Sequence, residues 1–460
     1  MKLISNQVAA TEFPVVDLTR DQSAVLEQLV EFARGRGPDA VATFSGYAGV
    51  GKTTVVGELV RALPDMHVVV AAPTNKAVAV LREKVGECGA EFATVHSLLG
   101  LRLRETPDGG QTCVPEGDPL LHTYQLAVVD ECSMVSESLF ASILSRRGRC
   151  RVVFVGDPAQ LAPVEARRGE LSPTFGSAIR ARQALTEVVR QARENPVIRI
   201  ATMARERIAC GQDIGLSDIA AALAPGDEQF LSIMDGGTWR VAEIAADAIG
   251  AGLDVRALAH DNRTVLQLNA SIHGLLHPGA PTWIPGVPVI AQSEFAMRGS
   301  KVGERVRVRN SDLLTVVRTE EDVHEEDAHR PAWRLELELP DRQRGTVFVP
   351  VDTLQWQRDV TTLFTEHKAA KVQAMTASGA QAYALQDTVR KASAAGWALR
   401  NRYADIRHAY AMTVHKAQGS TFGAVILDWA SFQRCPDVGA RARLLYVALT
   451  RTSKFAVICA

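Results

Sequence analysis

Residues 46–54 read Gly-Tyr-Ala-Gly-Val-Gly-Lys-Thr-Thr. Gly46, Gly51, Lys52 and Thr53 carry the glycine, lysine and hydroxyl of a loop that turns its backbone amides inward, and the helix that follows adds the positive end of its dipole. Such a loop cradles phosphate. Lys52 reaches the outer phosphate oxygens, Thr53 offers its hydroxyl to Mg²⁺, and Ala48, Gly49, Val50 and Thr54 complete the wall. An apolar stretch, "AVATFSG" (40–46), leads into the loop, and a strand in that place favours a nucleotide site over a bare glycine turn. The expected ligands are a nucleoside triphosphate and Mg²⁺.

"VVDE" (128–131) is the natural partner. Two acids after a strand are usually only a solvated end. With a phosphate loop upstream in the same sheet, Asp130 becomes a metal ligand and Glu131 a base for water. A water-activating Glu speaks for hydrolysis rather than simple phosphate transfer. A third strand ends in "GDPAQLAPV" (156–164), which sets Gln160 within reach of the outermost phosphate.

The elements that must hold these residues are legible in the first third of the chain. "HVVVAAP" (67–73), "LAVVDE" (126–131) and "RVVFVGD" (151–157) alternate with helical stretches such as "TTVVGELVRAL" and "NKAVAVLREKVGE". Continuous apolar strands separated by helices predict a parallel sheet covered on both faces, with ligands at the carboxyl ends of the strands. Residues 102–122 interrupt the pattern and predict a hairpin turning at Asp108-Gly109-Gly110. Residues 190–250 read as helical, and a second α/β segment is expected from 255. Short alternating strands over 285–355 predict a small β-barrel or sandwich, followed by helix over 356–400 and a return to α/β character. The acidic run at 320–327 reads as a solvated loop.

Bulk properties narrow the classes. At 460 residues the chain exceeds one growing core, so two or more domains are expected. The net charge of −1 excludes a global basic field, so any polyanion must lie in a local groove. The seven cysteines form no Cys-x-x-Cys pair and read as reduced thiols of a cytosolic protein. The first ten residues lack a charged segment before a long apolar run, so no secretory leader is expected. No apolar run approaches the ~18 residues of a membrane span.

Further strings accompany these sites: "LTRDQ" (18–22), "APTNKAV" (72–78), "ATVHSLLGL" (93–101), "LTEVVRQ" (185–191), "YAMTVHKAQGSTF" (410–422) and "LLYVALTRTSK" (444–454). Together, in this order from Gln22 to Lys454, they closely resemble the superfamily 1 helicases, nearest to the RecD-like and phage Dda-like class that moves 5′ to 3′ on single-stranded DNA. The resemblance implies that Gln22 reads adenine and that Gln160 couples the outer phosphate to the DNA groove. It makes Arg190 and Arg451 arginine fingers and puts Gly419 near the γ-phosphate. It implies DNA backbone contacts from Pro73, Thr74, Asn75 and Lys76, from Thr94 and His96, and from Thr413, His415 and Lys416. Contacts of this kind read no sequence, as a translocating motor requires.

The implied fold is α/β, with two RecA-like P-loop domains bearing parallel sheets, a small pin insertion and an SH3-like β-barrel insertion. Residues 1–190 would form domain 1A, with the pin (1B) at about 102–122. Residues 191–284 and 405–460 would form domain 2A, and 285–404 the barrel and helical insertion 2B. Two departures stand out: the pin region contains no Phe, Tyr or Trp, and Ser311 occupies a barrel turn where relatives commonly carry glycine.

The implied activity is ATP-dependent 5′→3′ DNA unwinding in replication, recombination or repair. The implied setting is a bacterial or phage-infected cytoplasm, with the chain acting as a monomer on single-stranded DNA and forks, beside single-stranded-DNA-binding or replication proteins and no membrane. An RNA or RNA–DNA unwinding motor, and a nucleotide-gated DNA-binding subunit of a recombination complex, remain open alternatives.

Overall fold

The computed structural model describes residues 17–35, 39–86, 88–105, 111–163, 170–185, 195–301 and 303–460. The predicted turn at Asp108-Gly109-Gly110 and Arg190 lie outside them.

The first sheet is built from β1 (Val41–Gly46), β2 (Val68–Ala72), β3 (Glu91–Thr94), β6 (Leu126–Val129), β7 (Arg151–Gly156) and β8 (Ala181–Leu185), with the hairpin β4 (Leu101–Glu105) and β5 (Gln111–Pro115) standing apart. Its strands are parallel in the order β3-β2-β6-β7-β1-β8. The reason for its unbroken apolar strands is visible in the packing. Val68, Val70 and Ala72 enter one core with Val153 and Val155, while Val69 and Ala71 enter another, on the opposite face, with Val152 and Phe154. Each fully buried Val or Phe contributes about 1.5–3 kcal/mol.

The second sheet takes β9 (Leu231–Met234), β10 (Val255–Ala259), β18 (Ala411–Thr413), β19 (Phe422–Asp428) and β20 (Thr452–Cys459), again parallel, in the order β18-β10-β19-β20-β9. Its faces alternate in the same way: Ala424 and Ile426 pack to one side, Val425 and Leu427 to the other. The α/β class with parallel sheets is thus what the chain adopts. β9 corrects the purely helical expectation for 190–250. Only four residues long and at a sheet edge, it carries too little pattern to register against the helices around it.

The third sheet is antiparallel, in the order β13-β12-β16-β15-β14-β11-β17. Its strands are β11 (Pro288–Ala291), β12 (Phe295–Arg298), β13 (Arg305–Val308), β14 (Leu313–His324), β15 (Asp327–Glu338), β16 (Arg344–Pro350) and β17 (Ile406–His408). Two 24-residue helices, Thr353–Thr376 and Gly379–Arg402, pack against each other between β16 and β17, with Phe364 edge-on to Trp397. Among the described residues no helix is long and apolar enough to cross a membrane.

The acidic run at 320–327 is not a loop. Glu320–His324 ends β14 and Asp327 opens β15, leaving Glu325 and Glu326 to turn the hairpin. Arginines neutralise it, two of them distant in sequence: Arg334 meets Glu320 at 2.6 Å and Arg298 meets Glu325 at 2.9 Å, while Arg330, three residues on, meets Asp327 at 3.2 Å. A loop reading from charge alone has no access to those partners.

Ser311 has φ of 69°, so the turn keeps a left-handed residue despite the side chain. Arg309 N–H donates to Asp312 Oδ2 at 2.7 Å and Ser311 N–H to the Ala291 carbonyl at 3.0 Å, which holds the turn shut. Left-handed backbone costs an L-residue about 1 kcal/mol. Ser311→Gly is therefore expected to stabilise the protein by up to about 1 kcal/mol, read as a higher urea midpoint at unchanged m value. A lowered midpoint would show that the serine hydroxyl, not the backbone, governs this turn.

Candidate functional site

The loop after β1 has the conformation its glycines allow. Gly49 and Gly51 have φ of 78° and 85°, and a Cβ at Gly51 would stand 2.5 Å from Gln22 Nε2. The helix Lys52–Arg61 begins with no side chain capping it, so its first amides face the loop. Lys52 Nζ folds back to donate to the carbonyls of Gly46 (2.9 Å) and Tyr47 (2.8 Å). A helix start with uncapped donors, a loop too tight for a Cβ at its last glycine and a lysine held at its mouth fit a triphosphate.

Gln22 is buried against this loop. Its carbonyl accepts from Thr19 N–H at 2.9 Å, closing a capping box, and its amide donates to Val50 O at 3.0 Å. The residue expected to read adenine therefore also braces the phosphate loop.

Asp130 follows β6 directly, and its N–H donates to Ala71 O of β2 at 2.8 Å. Burial first, and the neighbouring Glu131 second, raise its carboxyl above the usual carboxylate range, with Lys52 opposing. Glu131 has φ of 52°, a left-handed turn that ends the strand and redirects the chain. A half-buried acid pair, with Lys52 close enough to oppose the rise at Asp130, suits a divalent cation. Among the described residues no three His, Cys, Asp or Glu converge on one point. A cation held by Thr53 and Asp130 would thus draw its other ligands from phosphate and water, as Mg²⁺ commonly does.

Gln160, also buried, accepts from Ser133 Oγ at 3.4 Å and from Gln418 Nε2 at 3.2 Å. The second contact crosses from the first parallel sheet's loops to the second's. Gly419, with φ of 73°, lies beside it, and a Cβ there would come within 3.8 Å of the Ala77 side chain.

Arg451 reaches the cleft from the second sheet. Its guanidinium is buried and donates to Val447 O (3.2 Å), Ser420 O (3.3 Å) and Thr450 Oγ1 (3.1 Å). None of these partners is a carboxylate. Burial lowers its pKa, opposed chiefly by the field of Glu131. A charge placed so is costly unless an anion joins it.

The expected strand-gripping residues fall at three strand ends. Thr74 lies two residues past β2 and caps the helix Asn75–Val85 by accepting from Ala77 N–H; Thr94 closes β3 and caps Val95–Leu98; Thr413 closes β18 and caps Val414–Ala417. Thr94-Val95-His96 and Thr413-Val414-His415 are the same tripeptide at an edge strand of each parallel sheet. Their hydroxyls accept from the backbone amides of Ser97 and Lys416. Pro73, Thr74 and Asn75 are open to solvent to differing degrees, and His415 is exposed. Lys76 and Lys416 are half-buried. Burial lowers both ammonium pKa values, Lys416 to about 8 with Arg407 adding to it.

Beside the loop lies a cavity of about 200 Å³ whose wall includes Tyr47, Gly49, Thr202, Arg205, Tyr446 and Thr450. Sequence reasoning missed Tyr446, Asp157 and Arg205. The first two stand inside the quoted motifs "LLYVALTRTSK" and "GDPAQLAPV", but Arg205 lies in an ordinary helix and carries no local signal.

A phosphate loop, an acid pair and a buried arginine facing one another between two parallel sheets define a P-loop nucleoside-triphosphatase architecture. Residues 17–215 match the family model of an AAA domain, and residues 408–459 that of the UvrD-like helicase C-terminal domain. The chain is similar to the ATP-dependent RecD2 DNA helicase of Deinococcus radiodurans, 31% identical over 277 residues, covering 57% of this chain and 33% of that protein. It is also similar to the RecBCD enzyme subunit RecD of Mycolicibacterium smegmatis, 34% identical over 175 residues, covering 33% of this chain and 31% of that subunit. The chain thus spans about a third of the length of the curated relatives it matches. Among solved structures, Bacteroides Pif1 bound to single-stranded DNA aligns over 96% of this chain and 92% of that one, with a TM-score of 0.46 and 17% identity. By its sequence matches the chain is similar, over part of its length, to RecD-type and PIF1 DNA helicases.

Proposed function

We propose that the chain is an ATP-dependent DNA helicase that moves 5′→3′ along single-stranded DNA and separates duplex, in replication, recombination or repair. The observation that carries the reading is Arg451: a buried guanidinium with no carboxylate in ion-pair contact among the described residues, set by the second parallel sheet in the field of Glu131 at the end of β6. In this reading residues 1–190 form a RecA-like domain 1A, and residues 191–284 and 405–460 form 2A. Residues 285–404, which carry most of the antiparallel sheet and both long helices, form 2B, an SH3-like insertion. The hairpin β4–β5 is the pin.

Lys52 and the loop amides hold the phosphates, and Gln22 reads the base. Thr53 and Asp130 hold Mg²⁺, which when bound supplies positive charge to the phosphates. Glu131 orients water and takes its proton. Arg451, with Arg190, stabilises the charge that spreads in the transition state, which it can do only when the cleft is shut. Gln160, bonded to Gln418, carries the state of the cleft to the strand track. Pro73, Thr74, Asn75, Lys76, Thr94, His96, Thr413, His415 and Lys416 form that track.

The test is ATP hydrolysis with and without single-stranded DNA, followed by unwinding of forked duplexes with either a 5′ or a 3′ loading tail. Strong stimulation by DNA and unwinding from the 5′ tail are expected. Hydrolysis indifferent to any polynucleotide would overturn the motor reading, and stronger stimulation by RNA oligonucleotides would reassign the substrate.

Lys416 gives the track a pH signature. With its ammonium pKa held at about 8, the lysine is charged below that pH and loses its charge above it. Affinity for single-stranded DNA is therefore expected to fall between pH 7 and 9. Lys416→Arg, charged throughout, should flatten the profile, and Lys416→Ala should lessen the salt slope by about 0.7. Equal pH profiles for parent and Lys416→Arg would remove Lys416 from the track.

A further inference from the structure

Tyr446 lies in the last turn of the helix Val438–Leu449, five residues before Arg451. Its hydroxyl is buried and makes two hydrogen bonds, both to the loops of the first parallel sheet. It accepts from the backbone N–H of Ala48, inside the phosphate loop, at 3.0 Å, and it donates to the carboxylate of Asp157, just past β7.

Asp157 is fully buried. Its other oxygen pairs with Arg205 and accepts from Ala159 N–H at 2.9 Å. The Arg205 guanidinium lies 4.0 Å from the centre of the Tyr47 ring, so the cluster returns to the phosphate loop by a second route. Arg443, one turn before Tyr446, donates to the carbonyl of Gln160 at 2.9 Å.

This is a poor way to glue two bodies together. A phenylalanine at 446 would fill the same space without a buried hydroxyl to satisfy, and buried ion pairs hold interfaces no better than apolar contacts of similar size. What the hydroxyl adds is direction. It fixes one particular amide of the phosphate loop and one carboxylate beside Gln160 to the helix end that carries Arg451.

We propose that Tyr446 is a positioning residue: its hydroxyl, held between the Ala48 amide and Asp157, ties the conformation of the phosphate loop to the placement of Arg451. Arg205 holds Asp157 in the orientation that receives the hydroxyl. The inference rests on the reading of this cleft as a site of ATP hydrolysis.

The test is Tyr446→Phe in the full chain. Turnover of DNA-stimulated ATP hydrolysis is expected to fall about 10-fold, since both hydrogen bonds of the hydroxyl are lost, while KM for ATP stays near the parent's. In an Arg451→Ala background the same change should cost nothing further, because the tyrosine acts only through that arginine.

Hydrogen exchange without nucleotide supplies a readout independent of turnover: residues 46–51 and 447–452 should loosen together in Tyr446→Phe. Turnover within about twofold of the parent, a loss that multiplies with Arg451→Ala, or loosening confined to 46–51 would each overturn the proposal. If Tyr446→Phe melts well below the parent, Arg205→Gln interrogates the same link with the hydroxyl in place, and additivity with Arg451→Ala there overturns it too. A parent chain that hydrolyses no ATP overturns the hydrolysis reading instead, and the exchange experiment still decides the link.

Discussion

Arg451→Ala is expected to keep nucleotide binding yet lose on the order of 10³-fold or more in ATP turnover, the range seen when an arginine finger is removed. The structural basis is the company the guanidinium keeps. Its hydrogen bonds go to two carbonyls and a hydroxyl, while Glu131 contributes the largest favourable field. Such a group gains most when negative charge develops close by, and it contributes little to holding nucleotide in the ground state. The measurement is single-turnover hydrolysis beside nucleotide binding on one preparation, with Lys52→Ala as the inactive reference that should still bind DNA. Near-normal turnover in Arg451→Ala would return this residue to a structural role. Loss of nucleotide affinity in proportion to turnover would mean that it grips the ground state as well.

Shortening the hairpin β4–β5 should separate movement from unwinding. The hairpin stands apart from all three larger sheets, with Leu101 opposite Pro115 at its base and Glu105 opposite Gln111. Its base is well anchored. Glu116 N–H donates to Gly100 O at 2.9 Å, a Cβ at Gly100 would stand 2.2 Å from Gly117 O, and Arg102 bridges Glu116 (2.7 Å) and Glu294 (2.9 Å). A cut that spares these contacts, replacing 104–112 with a short Gly-Ser turn, should leave the core intact. DNA-stimulated hydrolysis and displacement of a protein block from single-stranded DNA are expected to stay near the parent's. Separation of a forked duplex should fall about 10-fold or more, because unstacking a base step costs a few kcal/mol that a steric wedge no longer supplies. With no Phe, Tyr or Trp between residues 102 and 122, the wedge would work by bulk rather than by ring stacking. Unwinding at the parent's rate would make this hairpin a surface ornament and put the wedge elsewhere.

Much of the nucleotide side was legible without coordinates, because the signals there are local. A glycine at 51 is required by a left-handed φ and by the nearby Gln22 amide, the acids at 130 and 131 follow a strand that must be apolar on both faces, and each Thr cap sits where a strand hands over to a helix. Strand and helix periods carry such information over a few residues. The antiparallel block was legible as a class, but its boundary was not. β17 follows the long helices by only a few residues, yet it pairs with β11, more than a hundred positions earlier.

What only the tertiary structure decided is who meets whom across such distances. The acidic run became a hairpin where Arg298 arrives from β12 and Arg334 from the facing strand to neutralise it. Gln160 met Gln418, and Tyr446 met both Ala48 and Asp157, across 258, 398 and 289 residues respectively. Spacing along the chain fixes what a residue can do, through backbone conformation and side-chain chemistry. Which partner it does it with depends on two sheets closing on each other, and that closure is set by the sum of many apolar contacts on their faces, none of which marks its partner in the sequence.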